Sequence, residues 1–193
     1  MSRTSILSAA LSVAHFTFAT QLSAEIITWR DNVAGWYIGV DRSRGDGCYI
    51  HSGFERGGLL RVGFDMVDST VYTIIGDDDW KSLEADKIYP LTIKMGNNVP
   101  WIGDAEGFAW EDGRVSLAIY MNVGSDAAVD FVNEIRRLLN FQVFYQGKEI
   151  SNLSLRGSNV AIQEAINCQV QMNENAAAND PFSNGGNSDD PFR

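Results

Sequence analysis

The most reactive side chains of this sequence, outside its first 24 residues, belong to Cys48, Cys168 and His51. Cys48 and His51 stand three positions apart, which raises the hypothesis of a thiol nucleophile with an imidazole base. Such a pair must touch, yet residues three apart in a strand point to opposite faces of a sheet. A serine hydrolase would also have to use His51, and no G-x-S-x-G segment supports one. We therefore assign no catalytic residue and expect no cofactor.

Two short motifs carry residue types that bind partners or ions. Arg44-Gly45-Asp46 spells an integrin-recognition tripeptide, although glycines and charges are also ordinary turn residues. Asp77-Asp78-Asp79 offers carboxylate oxygens for calcium, but the spacing and the terminal glutamate of an EF-hand are absent. We interpret the acidic stretch as a solvated turn and assign no metal ligand. Display of the tripeptide for adhesion is left open by the sequence.

Three tryptophans stand among predicted loops and hairpins, at Trp80, Trp101 and Trp110. Exposed, they would stack on sugar rings or fill a pocket of a partner protein; buried, they would anchor the core. Core packing is the default for all three. The segment VPWIGDAEG has a loop-like composition, so Trp101 is the residue that we predict to be exposed and available for partner binding.

The first 24 residues have the layout of a secretory signal peptide. One positive charge in MSRTS precedes the apolar run ILSAALSVAHFTFA, and Leu22-Ser23-Ala24 supplies small residues for cleavage. The alternative is a buried N-terminal helix. No later segment is long and apolar enough to cross a membrane. We expect a periplasmic or secreted protein, whose net charge moves from −10 to −11 when Arg3 is removed.

In an exported protein an even number of cysteines indicates a disulfide, here between Cys48 and Cys168. The closed loop of about 120 residues would stabilise the fold by roughly 4–5 kcal/mol in the chain-entropy model. Two buried free thiols are the alternative. Zinc is disfavoured, because two distant cysteines and one histidine do not form a ligand pattern.

Short runs rich in β-branched and aromatic residues, separated by turn residues, fill most of residues 25–170. The runs are GWYIGVD, CYIHSGF, LLRVGFD, TVYTIIG, IYPLTIKM, GFAWE, RVSLAIYM, FQVFY and KEISNLSL. Asp112-Gly113 and Gln146-Gly147 predict hairpin turns. A spacing of roughly ten residues per strand suggests a β-rich α+β domain. We expect an antiparallel sandwich or barrel of about 8–9 strands with two helices.

The two predicted helices follow from helical periodicity. Residues 125–140 place apolar side chains on one face, with Ser125 or Asp126 as the cap. The apolar positions are Ala128, Val129, Val132, Ile135, Leu138 and Leu139. A second, short helix is expected after Gly157, with Ser158 as its N-cap and Cys168 near its end.

Residues 171–193 are polar and glycine-rich, which predicts a disordered tail. The tail contains Asp-Pro-Phe twice, ending at Phe182 and at Phe192. A repeated motif on a flexible tail can dock twice and gain avidity, so both phenylalanines are candidate partner-binding residues. A solubilising tail with a chance repeat is the alternative.

The end of the predicted domain resembles a known family. Leu153-Ser154-Leu155, Gly157 and Ala161, in a strand–glycine–helix arrangement, are similar to the end of invasion-associated locus B-type proteins. In outline the resemblance extends from Trp29 to Cys168, and the layout is similar to related uncharacterised exported proteobacterial proteins. The resemblance implies a compact β-rich domain, a periplasmic or envelope location and a binding role.

The acidity of the chain bears on its partners. A net charge of −10 excludes nucleic-acid binding by phosphate neutralisation and would attract a basic protein. We expect an exported, non-enzymatic binding protein, with an inhibitor or immunity factor for a basic envelope-active enzyme as its specific form. The alternatives are a wall- or glycan-directed hydrolase with paired carboxylates, and a glycan-binding module.

Overall fold

A computed structural model of the protein describes residues 26–55 and 57–179. The predicted signal peptide and both Asp-Pro-Phe motifs, with Phe182 and Phe192, lie outside these residues. The strands are β1 (Ile26–Val33), β2 (Trp36–Asp41), β3 (Gly47–Gly53), β4 (Gly58–Asp65), β5 (Thr70–Asp77), β6 (Ile88–Met95), β7 (Trp101–Ala109), β8 (Val115–Asn122), β9 (Asn140–Tyr145) and β10 (Lys148–Ser154). The helices are α1 (Asp126–Arg137) and α2 (Ser158–Asn179), and neither is long and apolar enough to cross a membrane.

The described strands pair into one antiparallel sheet in the order β1-β2-β3-β4-β5-β8-β7-β6-β9-β10. This confirms the predicted β-rich α+β class. The sheet is open, with β1 and β10 at its edges, which differs from the predicted sandwich or barrel. The sheet is nevertheless curled, since Leu153 of β10 near one edge packs beside Gly58 of β4, six strands away in the sheet order. Both halves of the sheet therefore contribute to one core.

The sheet has more strands than the 8–9 expected because β1 is added to it, and β7 is longer than its predicted run GFAWE. β1 was not among the predicted runs, and it pairs irregularly with β2 through two register shifts. β7 begins at Trp101, within the segment predicted to be a loop, and pairs with β6 from Ile88 to Ile93. The loop prediction was wrong because Ile102, Gly103 and Asp104 are all exposed, which hides the alternation of the strand.

Both predicted hairpin turns are present. Gly113, with φ of 82°, lies in the β7–β8 turn, and its N–H donates to the carbonyl of Trp110 at 2.9 Å. Gln146 and Gly147 join β9 to β10 with φ values of 50° and 79°. Two consecutive positive φ values suit the right-handed twist of the flanking strands, as in a type I′ turn.

Helix α1 begins as predicted, and part of its buried face differs from the prediction. Ser125 is the N-cap and accepts the N–H of Ala128 through its Oγ at 3.2 Å. Ala128 and Ile135 are buried as expected, together with Phe131, which was not assigned to the apolar face. Val129 is 51% exposed, and Leu139, which lies beyond the end of the helix, is 67% exposed, so the assignment of both to that face was wrong.

Helix α2 begins at Ser158 and is longer than predicted. Gly157 precedes it with φ of 82°, and a Cβ at that position would lie 2.2 Å from the carbonyl oxygen of Ala34. Ser158 Oγ donates to the carbonyl of Ile135 at 2.6 Å and ties α2 to α1. The close approach and the positive φ both require glycine at 157.

The helix continues through Cys168 to Asn179, so residues 171–179 of the predicted tail are helical. Ala176, Ala177 and Ala178 favour helix, and no proline occurs between Gly157 and Pro181. Met172 packs against the cluster that contains the two cysteines. Helix α2 therefore extends nine residues beyond the domain boundary predicted at residue 170.

The sheet has two faces of different character. We call the face that packs on α1 and α2 the inner face; it carries the main core, including Trp36, Ile38, Ile50, Leu60, Val62, Leu91, Phe141 and Leu153. The opposite face of β2, β3, β4, β5, β7 and β8 is the outer face. It holds a second buried cluster built around Tyr49, Tyr72 and Ile74.

Candidate functional site

The cysteines form the predicted disulfide between β3 and α2. Cys48 and Cys168 are fully buried, and their Cα atoms are 6.1 Å apart. The backbone N–H of Cys48 donates to Oε1 of Gln169 at 2.8 Å, which fixes the helix to the strand at the same place. Cys48 is on the inner face and His51 is on the outer face, so no thiol–imidazole pair forms.

Glycines on the outer face create space for tyrosine rings. Gly39, Tyr49, Gly63 and Tyr72 are paired in succession across β2, β3, β4 and β5. A Cβ on Gly39 would lie 2.5 Å from Oη of Tyr49, and a Cβ on Gly63 would lie 2.7 Å from Oη of Tyr72. The two tyrosines therefore lie flat across the sheet, which only glycine at the neighbouring positions allows.

Buried ion pairs surround these rings. Arg61 Nη2 donates to Oδ2 of Asp41 at 2.5 Å, and Arg61 Nε donates to Oη of Tyr72 at 2.9 Å. Arg44 Nη1 donates to Oδ2 of Asp65 at 2.5 Å. The exposed fractions of Asp41, Arg61 and Asp65 are 4%, 6% and 4%. Neither α1 nor α2 covers this face, and charges so deeply buried there are uncommon on ordinary sheet surfaces, so they mark a candidate site.

The guanidinium groups also stack on the tyrosines. The Cζ of Arg61 is 3.7 Å from the ring centroid of Tyr49, and the Cζ of Arg44 is 4.4 Å from that of Tyr72. Such cation–π contacts strengthen when they are removed from water. We call Asp41, Arg44, Tyr49, Arg61, Asp65 and Tyr72 the outer-face cluster. Its two arginines and two aspartates balance in formal charge.

Burial shifts the pKa values of the groups in and beside this cluster. It raises the pKa of Tyr72 to about 12, although Arg61 and Arg44 oppose the shift. Burial also raises the pKa of Tyr49, again against the effect of Arg61. The pKa of His51 is lowered by burial and by the charge of Arg61, so its imidazole is neutral at pH 7.

We expect the protein to lose stability as the pH rises from about 10 towards 12. The unfolded chain releases the Tyr72 proton near pH 10, while the folded chain holds it to about 12. Between these values the unfolded state binds fewer protons, so the free energy of unfolding falls by up to about 1.4 kcal/mol per pH unit for this group. Urea denaturation at a series of pH values measures the slope.

Tyr72→Phe provides the control for this expectation, because phenylalanine does not ionise. Its stability should decline less steeply over the same pH range than that of the wild type. Equal slopes in the two proteins would contradict the assignment of the effect to Tyr72.

A groove crosses the outer face beside the cluster, and Trp110 stands in its middle. Trp110 lines a cavity of about 530 Å³ above Arg61 and Arg44, and two cavities of about 250 and 310 Å³ toward Asp78. Its Nε1 donates to Oγ of Ser116 at 2.8 Å. Its ring meets that of Phe108 edge to face at 5.0 Å. A partly exposed, oriented aromatic ring in a groove is typical of an anchor for a ligand or partner.

The other two tryptophans pack against the core. Trp101 lies at the start of β7, where its ring meets Phe131 of α1 edge to face at 5.2 Å and its Nε1 donates to Glu134 at 2.9 Å. It is half-buried, so it holds α1 on the sheet, and partner binding by Trp101 stays a prediction. Trp80 is also half-buried and packs against the main core.

The two short motifs have structural roles. The guanidinium of Arg44, the first residue of the tripeptide, is buried against Asp65 and Tyr72, so it is not displayed at the surface. In the acidic stretch, Asp77 Oδ1 accepts the N–H of Asp79 at 2.9 Å. Asp78 lies 3.5 Å from Nη1 of Arg114. These contacts agree with the interpretation of residues 77–79 as a turn.

The outer-face cluster was not predicted from the sequence. Asp41, Arg61 and Tyr72 come from three strands and meet only through the pairing of the sheet. One available signal was the charge of Arg61 within the apolar run LLRVGF. Another was the presence of Gly39 and Gly63 in strands otherwise rich in large residues, because glycine in a strand often marks a close approach.

Comparisons with known proteins give a weak structural resemblance. No protein-family model matches the chain, and no curated protein matches it. The chain is similar to the crystal structure of invasion associated protein B from Bartonella henselae, with a TM-score of 0.49 and 11% sequence identity. The match covers 72% of this chain and 96% of that chain. Membership of the invasion-associated locus B-type family stays a prediction.

Proposed function

We propose that this protein is an exported binding protein of the bacterial periplasm or envelope that acts by surface contact with a basic protein. Its specific form would be an inhibitor or immunity factor for a basic envelope-active enzyme. The observation that carries the proposal is the groove on the outer face, in which Trp110 stands between acidic borders. An aromatic side chain held in place and surrounded by charges is typical of protein–protein recognition, which, unlike hydrolysis, requires no proton transfer.

The charges around Trp110 favour a basic partner. Asp78, Glu111 and Asp112 are exposed beside the groove, where Arg114 pairs with Asp78 and Asp112 and leaves an excess of acid. The whole chain carries a net charge of −10. Acidic borders attract a basic surface during the encounter and then align it over the tryptophan. Exposed rim charges act mainly on the association rate, and the buried anchor acts on the lifetime of the complex.

The carboxylates of the outer-face cluster also suit a binding role. Asp41 accepts hydrogen bonds from Ser43 and Arg61, and Asp65 accepts from Arg44 and from two backbone N–H groups. Groups bound in this way hold the shape of the groove. The glycosidase alternative needs one carboxyl to donate a proton and another to attack or to activate water. The fixed partners of Asp41 and Asp65 do not favour that exchange.

The disulfide supports the proposed export. A bridge between distant cysteines is common in oxidising compartments and rare in the cytosol of mesophiles. Cys48 and Cys168 join the third strand to the last helix, so the bond would protect the fold where chaperones and ATP are scarce.

Neutralising the rim of the groove should weaken retention of the partner. We expect the immobilised protein to retain a basic protein from envelope extract at moderate salt. The triple variant Asp78→Asn, Glu111→Gln, Asp112→Asn should bind the purified partner about tenfold more weakly, mainly through a slower association rate. Surface plasmon resonance at two salt concentrations measures both effects.

The matched control removes three other exposed acids, with Asp130→Asn, Glu149→Gln and Glu174→Gln. This variant changes the net charge equally, so only the position of the charges differs. It should bind almost as the wild type does. Equal weakening of both triple variants would point to non-specific attraction. Retention of no protein, together with turnover of a small substrate, would replace the proposal with the hydrolase alternative.

A further inference from the structure

The guanidinium of Arg61 has more donors than the protein uses. It carries five N–H groups. One on Nε donates to Tyr72, and one on Nη2 donates to Asp41. Nη1 forms no hydrogen bond with any residue that the structure describes. Nη1 is not among the buried side-chain atoms of the described residues that lack a partner, so solvent reaches it and a ligand oxygen can accept from it there.

Arg61 lines the cavity of about 530 Å³ on the outer face. The face of the guanidinium is covered by Tyr49 at 3.7 Å, so an acceptor must approach along the edge. The acceptor oxygens of Asp41 and Asp65 are already engaged by arginine and backbone N–H groups. The deep end of the cavity therefore offers donors, and it suits a carboxylate, which binds arginine with matching geometry.

The walls and the mouth of the cavity differ from its deep end. Phe108, Trp110 and Ile26 form an apolar wall. Glu111 and Asp112 lie at the exposed mouth. The pKa of Asp112 is lowered first by the backbone N–H of Arg114 and then by its guanidinium, so Asp112 keeps its negative charge. The mouth holds two acids against Arg114 and so favours a positive group, while the deep end is balanced in formal charge and favours an acceptor that uses the free edge of Arg61.

We propose that this cavity binds a small zwitterion, namely a free apolar amino acid or a short peptide that ends in one. The carboxylate lies against Arg61, with Arg44 beside it. The ammonium group faces Glu111 and Asp112, and the apolar side chain lies against Phe108 and Trp110. A volume of about 530 Å³ is within the range of small-molecule sites. The ligand site adds a small-molecule function to the partner binding proposed above.

The test is calorimetric titration of the full chain, produced under disulfide-forming conditions, with three probes of the same shape. L-phenylalanine carries both charges, phenylalaninamide lacks the carboxylate, and N-acetylphenylalanine lacks the ammonium group. We expect saturable binding of phenylalanine, and at least about tenfold weaker binding of each of the other two, since each leaves one end of the site unmatched. L-leucine should also bind, and L-glutamate should not.

Two variants test which residue binds each end of the ligand. Arg61→Lys keeps the charge beside Asp41 and removes the free edge of the guanidinium. It should therefore weaken the binding of phenylalanine about tenfold and change the binding of phenylalaninamide little. Glu111→Gln should weaken the binding of phenylalanine and leave the affinity for N-acetylphenylalanine unchanged. Glu149→Gln, far from the cavity, should change neither affinity. Urea midpoints of the variants confirm that they are folded.

Two results would overturn the proposal. One is the absence of saturable binding of both phenylalanine and leucine at millimolar concentration. The other is equal affinity for phenylalanine and its amide, since the carboxylate would then have no role. Neither result depends on a protein partner, so the ligand site and the partner proposal can fail separately.

Discussion

Replacing both cysteines with alanine is expected to lower the free energy of unfolding by about 4 kcal/mol. The bridge between Cys48 and Cys168 spans a sequence separation of 120 residues. Closing a loop of that length removes conformational entropy from the unfolded chain worth about 4–5 kcal/mol. Both residues are fully buried, so loss of the sulfur atoms also leaves space beside Val40. Urea denaturation of the double variant and the wild type measures the difference.

Met172→Ala is the matched control for packing. Met172 packs against the same cluster from α2 and takes no part in the covalent bridge. Its truncation should reduce stability much less than loss of the bridge does. Mass spectrometry of the non-reduced protein should give a mass two hydrogens lower than that of the reduced chain. A count of two free thiols, or a double variant as stable as the wild type, would contradict the expectation.

The disulfide and the turns could be predicted because their signals are local or nearly independent of the fold. Two cysteines permit only one intramolecular pairing. Asp112-Gly113 and Gln146-Gly147 each indicate a hairpin turn from two adjacent residues alone. Ser125 caps α1 because its hydroxyl satisfies an N–H group three residues ahead. None of these conclusions needed to know which strands pair.

The strand order and the strand limits could not be predicted, because tertiary contacts decide them. β7 starts at Trp101, and its first half exposes residues on both faces, so no alternation is visible there. β5 pairs with β8, which is distant in sequence. The exposed Val129 shows the same limit on a helix: periodicity indicates which side chains could be buried, and the neighbouring elements determine which of them are.

The candidate site was the least predictable part. The sequence favoured Trp101 as the exposed tryptophan and assigned Trp110 to the core by default, and only the fold shows that Trp110 lines the groove while Trp101 packs on α1. Arg44 belongs to a tripeptide that could have been displayed for adhesion, whereas its guanidinium is buried against Asp65. Charged groups gather by hydrogen bonding across strands, and a sequence does not record which strands are adjacent.

Asp41→Asn is expected to destabilise the protein by about 3 kcal/mol. The substitution keeps the shape of the side chain and the acceptor for Ser43, and it removes the charge that balances Arg61. Breaking a buried ion pair from one side leaves an uncompensated charge, which costs about 3–5 kcal/mol. The double variant Asp41→Asn, Arg61→Met should recover part of the loss, since it removes the unbalanced charge as well. Urea denaturation of the single and double variants gives the coupling between the two residues.

Asp112→Asn supplies the matched control, because its partner Arg114 is 64% exposed. Water screens that pair, so the urea midpoint should stay unchanged. Equal effects of the two substitutions would contradict a special role for burial. If the double variant Asp41→Asn, Arg61→Met, which lacks both charges, is as stable as the wild type, the fold does not need the charges of Asp41 and Arg61. Arg61 would then serve ligand binding in the cavity rather than stability. Loss of phenylalanine binding in that stable variant would show that the two roles are separate.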